Sequence, residues 1–182
     1  MGEEFLEEMA KPPGDDLEVP PAPEAEAGFS PELIREGEGF FEEGRQNLQQ
    51  KILQMSIPEK VRLALVGNRE ARNILIREHN RVVPLAVLRS PRLTDKDVLN
   101  YAQQRNLDEE VFTAIAQNKK WMQNYPIKLA LAANPKTPLP LALKLLDHLH
   151  TKDLQILGLS RNVSSVLSRA ARRHHTKRME KR

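Results

Sequence analysis

The sequence predicts an all-α fold, and three observations predict it. Apolar residues recur at helical spacing from about residue 45 onward. Serine, threonine, asparagine, aspartate and proline punctuate these runs at helix-start positions. No stretch sustains the apolar–polar alternation of a strand, and aromatic residues make up only 4% of the chain.

Taken in order, "RQNLQQKILQM" puts Leu48, Ile52 and Met55 on one helical face. "SIPEK" supplies Ser56 as a cap with Glu59 three residues on, a capping box. Asn68 starts "NREARNILIRE", and Thr94, with Asp97 three residues later, starts "TDKDVLNYAQQR". Asp108 caps "LDEEVFTAIAQ". Thr137 followed by Pro138 opens "TPLPLALKLLDHL", which forces Pro140 into the first turn. A helix opening at Thr151 carries "TKDLQILGLS", and "NVSSVLSRAARRHH" forms the last one.

Five windows inside these helices share a pattern: "RLALVGN" 62–68, "PLAVLRS" 84–90, "FTAIAQN" 112–118, "KLALAAN" 128–134 and "ILGLSRN" 156–162. The third position is small (Ala64, Ala86, Ala114, Ala130, Gly158) and the fourth aliphatic (Leu65, Val87, Ile115, Leu131, Leu159). The last is a polar corner: Asn68, Ser90, Asn118, Asn134, Asn162. A small residue admits a neighbouring backbone, and the aliphatic one fills the space between units. Asparagine at the corner tolerates the left-handed conformation and caps the next helix. The pattern predicts a short α-solenoid of about five helical repeats, each burying its apolar face against its neighbours.

The net charge of +3 conceals an asymmetry. Residues 1–43 carry 14 acidic side chains against Lys11 and Arg35, while the remainder carries 26 Lys/Arg against 11 acidic residues. Six of the 13 prolines also fall in the first 43 residues. This composition predicts an acidic, disordered tail over 1–43, a helical repeat domain over 44–175 and a basic C-terminal tail over 176–182. Within the first tail, "EEFLEEM" and "FSPELI", the latter with Ser30 as cap and Pro31 at the first helical position, offer short docking motifs. The N-terminus lacks a cationic segment and an apolar stretch, so a cytoplasmic chain is expected, with no membrane contact. The absence of cysteine excludes disulfides, thiolate metal sites and a cysteine nucleophile.

"IKLALAANPKTPLPLALKLLDH", residues 127–148, resembles the leucine-rich repeat variant family. Asn134, Pro135, Thr137 and Pro138 match that family's corner, and Leu141, Leu145 and Leu146 its following helix. "AVLRSPRLTDKDVLNYA", 86–102, is a looser match at Ser90, Pro91 and Thr94. The other windows are nearer to generic HEAT-like repeats. The resemblance implies a right-handed helical solenoid. The iron–sulfur module of the founding member has no cysteines here to hold it.

A catalytic reading needs a convergent set of groups, and none is found in the sequence; no catalytic residue, metal ligand or cofactor is assigned. Each corner does carry a nearby cation: Arg69, Arg92, Lys119 and Lys120, Lys136, and Arg161. Stacked in register, these would line one anion- or partner-binding edge. Trp121 and Tyr125, beside Lys119 and Lys120, offer an aromatic contact for a base, or a cover for the core. Seven Lys/Arg from Arg169 onward add nonspecific phosphate contacts. The expected function is a non-enzymatic interaction scaffold for a protein partner, an acidic one included, with the basic edge occupied at times by the chain's own tail. The alternative is a nucleic-acid-binding protein similar to the HEAT-like alkylpurine DNA glycosylases, with Asp147 as the carboxylate.

Overall fold

The computed structural model describes residues 28–36 and 42–180. The readings of "EEFLEEM" as a docking turn and of the proline-rich stretch as a linker lie outside the described residues. Among those described, the chain is all-helical, with eleven α-helices and no strand. The described residues divide into two compact units, one up to Thr94 and one from Asp95 on.

The N-terminal unit holds α1 (Pro31–Ile34), α2 (Glu42–Leu53), α3 (Ile57–Val66), α4 (Arg69–Leu75) and α5 (Val82–Leu88). Helix α3 is its centre: Val61, Leu63, Ala64, Leu65 and Val66 are all buried, while Ile57 and Arg62 keep one side exposed. It packs most heavily on α5, then on α4 and α1. The expected capping box is formed, with the Ser56 N–H and hydroxyl both donating to the Glu59 carboxylate at 2.8 and 2.6 Å. These bonds, the hydroxyl's first, hold the Glu59 carboxyl below its ordinary value. Of the face predicted on α2, Leu48 and Ile52 are buried and Met55 is half-buried.

The C-terminal unit holds α6 (Asp95–Gln103), α7 (Glu109–Gln117), α8 (Tyr125–Ala133), α9 (Leu139–Leu145), α10 (Thr151–Leu159) and α11 (Ser165–Met179). Short 3-10 turns at Trp121–Gln123 and Leu146–His148 precede α8 and follow α9. Helix α8 packs on α6 and α9, and α10 pairs with α11. Helix α9 starts two residues after Thr137, with Pro138 in the cap position and Pro140 second in the helix, where its missing N–H costs no intrahelical bond. Helix α11 runs through Met179, past the boundary expected at 175. Its Arg178 caps the 3-10 turn that follows α9, donating to the carbonyls of Leu149 and of Asp147, the latter at 2.7 Å.

The corners work differently from the left-handed geometry expected of asparagine. No described non-glycine residue has positive φ. Asn68, Asn118 and Asn134 are extended, with φ of −68°, −78° and −83°. Their side-chain oxygens do cap the next turn of chain: Asn68 accepts from the Ala71 N–H at 2.9 Å, Asn118 from Lys120 at 3.0 Å, and Asn134 from Lys136 at 2.9 Å. The unexpected half is the amide nitrogen. Asn68 Nδ2 donates to the carbonyls of Glu32 (2.6 Å) and Arg35 (3.1 Å) at the end of α1. Asn134 Nδ2 does the same to Ala102 (2.8 Å) and Gln104 (2.6 Å) at the end of α6. Ser90 Oγ donates to Leu65 O at 2.7 Å, at the end of α3. Each buried corner thus satisfies carbonyls that a neighbouring helix leaves unpaired at its C-terminus.

The fifth window departs from this scheme. Leu159 is 72% exposed, whereas Leu65, Val87, Ile115 and Leu131 are fully buried, and Asn162 is exposed. The next helix, α11, packs instead on the Leu154, Leu157 and Gly158 side of α10. A Cβ on Gly158 would stand 2.7 Å from Arg172 Cγ, so glycine here permits the close approach. Gly158 O is taken by Ser168 Oγ at 2.8 Å and Arg172 Nε at 2.6 Å, the task that Asn68, Ser90 and Asn134 perform elsewhere.

Candidate interaction surface

Two places gather the residues singled out in the sequence. The first is the corner after α3. Residues 29–36, inside the stretch read as tail, lie against it. Asn68 N–H donates to Leu33 O at 2.7 Å, and Arg92 Nη1 reaches Ile34 O at 2.8 Å and Val66 O at 2.6 Å. The Glu36 carboxylate accepts from Arg72 Nη1 and from the Arg69 N–H, both at 3.2 Å. Leu33 is 2% exposed. Arg72 is as deeply buried, and it also donates to Gly67 O at 2.7 Å. Of the expected edge cations, Arg92 brings its guanidinium here, onto peptide carbonyls, while Arg69 contributes its backbone N–H to the Glu36 carboxylate.

The second place is a groove in the C-terminal unit, about 450 Å³, between α6 and α8. Its floor is apolar: Leu99, Pro126, Leu129, Ala130 and Ala133. Gln103, Arg105, Tyr125 and Asn134 contribute its polar atoms, with no acidic side chain among them. Ala130 is the one small residue of the repeat column left half-exposed; Ala64 and Ala86 are fully buried. Exposed Lys136 lies just past the corner at Asn134.

The remaining predicted residues are spread over separate corners. Lys119 and Lys120 are exposed after α7, and Arg161 is exposed after α10. Trp121 is buried, 7% exposed. Tyr125 stacks on the His150 ring with centroids 4.1 Å apart, its hydroxyl donating to Asp153 and accepting from the His150 N–H. The carboxylate that meets Tyr125 is thus Asp153; exposed Asp147 instead faces His174 Nδ1 at 3.3 Å. Asp153 and His150 lie more than 20 residues from Tyr125 in the chain, so no local spacing announces them. Leu99, Gln103 and Arg105 were equally invisible, because only the packing of α6 on α8 turns them toward one groove.

Burial, then the hydrogen bond to Asp153, pushes the Tyr125 phenol above its ordinary value. The folded state therefore holds the phenolic proton more tightly than the unfolded chain does. Its contribution is fully present below about pH 10 and is lost as pH rises through the folded value. Tyr125→Phe is expected to cost about 1 kcal/mol at pH 8, with the gap to wild type narrowing by about pH 11. Urea midpoints of both proteins at the two pH values test this; a constant gap would contradict it.

Among the described residues, no group of three or more histidine, aspartate or glutamate side chains is placed to hold a metal ion, and no helix is long and apolar enough to cross a membrane. No family model, curated protein or solved structure matches the chain.

Proposed function

We propose that this protein is a non-enzymatic helical-repeat interaction scaffold of the α-solenoid type, and that its ligand is an acidic segment of a protein partner. The observation that carries the reading is the groove between α6 and α8: an apolar floor beside Arg105, with no carboxylate in its lining. The repeated stitch at Asn68, Ser90 and Asn134 supports the repeat character. An acidic amphipathic segment would place its apolar residues over Leu129 and Ala130 and a carboxylate at Arg105.

Peptide display against the immobilised full chain tests this. Enriched sequences are expected to be acidic with apolar residues three or four apart. Enrichment should fall at least tenfold for Ala130→Leu, which fills the floor, and for Arg105→Glu, which reverses the rim. Enrichment that survives both substitutions would sink the reading. A gel shift with duplex DNA, falling steeply with salt and untouched by Ala130→Leu, would favour the nucleic-acid alternative through the corner cations.

A further inference from the structure

We propose that the corner after α3 is a second peptide-recognition site, distinct from the groove, and that residues 29–36, "FSPELIRE", are its ligand in cis. The partner it fits is a short acidic peptide with a proline-started helical turn, a leucine two residues after the proline and a glutamate three residues after that leucine.

The contacts have the composition of peptide recognition rather than of core packing. Helix α1 is four residues long, too short to be stable alone. Leu33 is its one buried side chain. Beside it the Arg62 guanidinium lies over the Phe29 ring, 5.9 Å from its centroid, and hydrogen bonds to backbone and to a carboxylate supply further anchors. Asn68 holds the carbonyls of Glu32, Leu33 and Arg35 through its side chain and its own N–H. Arg92 holds that of Ile34, and Arg72 and the Arg69 N–H hold Glu36. Outside this set, Lys51 pairs with Glu32 at 2.8 Å across the exposed surface. Backbone capture gives the site affinity for any chain in this conformation. The Leu33 position and the Glu36 carboxylate give it selectivity.

Each receptor side chain also has a bond that does not involve the segment. Asn68 also caps α4 through Ala71, Arg72 also bonds Gly67 O, and Arg92 also bonds Val66 O. These second bonds hold all three side chains in position when α1 leaves, so the site is built in advance of its ligand. A matching peptide from a partner therefore competes with residues 29–36 for a preformed surface.

A fluorescein-labelled peptide of residues 28–36, titrated with full-length protein and read by anisotropy, tests the proposal. The Leu33→Asp chain, its own segment displaced, is expected to bind the peptide with Kd of roughly 10–100 µM. Wild type should bind at least tenfold more weakly, and Leu33→Asp combined with Arg72→Ala should not bind. Glu36→Gln, which leaves Leu33 seated, should fall between wild type and Leu33→Asp. Equal binding by wild type and Leu33→Asp, or none by either, overturns the proposal. Loss of helical circular dichroism in Leu33→Asp overturns it too, since α1 would then be an obligatory part of the fold. Ala130→Leu is expected to leave this titration unchanged, which separates failure here from failure of the groove.

Discussion

Asn134→Ala is expected to lower the unfolding free energy by about 3 kcal/mol. The substitution removes two donors from carbonyls at the end of α6 and the cap that Oδ1 provides to the Lys136 N–H. Ala102 is fully buried, so its carbonyl has no ready route to water once Nδ2 is gone. Asn134→Asp should be worse still: it keeps the capping oxygen, but points a carboxylate at the same carbonyl oxygens. Asn162, exposed and with no such stitch, serves as the control, and Asn162→Ala should change stability by less than about 0.5 kcal/mol. Urea unfolding followed by far-UV circular dichroism makes the comparison. Equal effects at positions 134 and 162 would remove the stitch as a determinant of the fold.

The small-residue column supplies the second large effect. Ala64→Leu and Ala86→Leu each force three extra carbons into sites with no exposed surface, and each is expected to cost about 3 kcal/mol or more. Ala130→Leu is the same chemical change at the matching position of another window, yet Ala130 faces the groove and should tolerate it within about 1 kcal/mol. Thermal and urea midpoints for the three variants decide the matter. A destabilised Ala130→Leu would mean that the groove floor is tightly packed, and would also spoil that variant as a probe of partner binding. A harmless Ala64→Leu would mean that helix α3 has room to spare on the side where its neighbours approach.

The helical content, most helix starts and the residues that form the corners could be read directly from the sequence. Those features are local. A capping box joins residues three apart, helical periodicity spans one or two turns, and a proline acts on its own turn. Even the local half of the asparagine's task, capping the chain that follows, lies within three residues of it. The other half could not be read, because the carbonyls that Asn68 and Asn134 hold are 30 or more residues away in the chain. The departure of the fifth window has the same origin. "ILGLSRN" obeys the pattern letter for letter, but the side of α10 that is covered depends on where α11 packs, which Gly158 and Arg172 settle together.

The candidate sites divide along the same line. Composition alone marks an acidic N-terminal stretch and a basic remainder, and local spacing marks "FSPELI" as a helix start. Tertiary structure decides that Leu33 and Glu36 seat against Asn68, Arg72 and Arg92, and that Trp121 turns inward. It also decides that Leu99, Arg105 and Ala130 share a groove. Charge and periodicity are sums over neighbours in the chain, so a sequence carries them openly. A concave surface is a relation between distant helices, and it exists only once their backbones have packed.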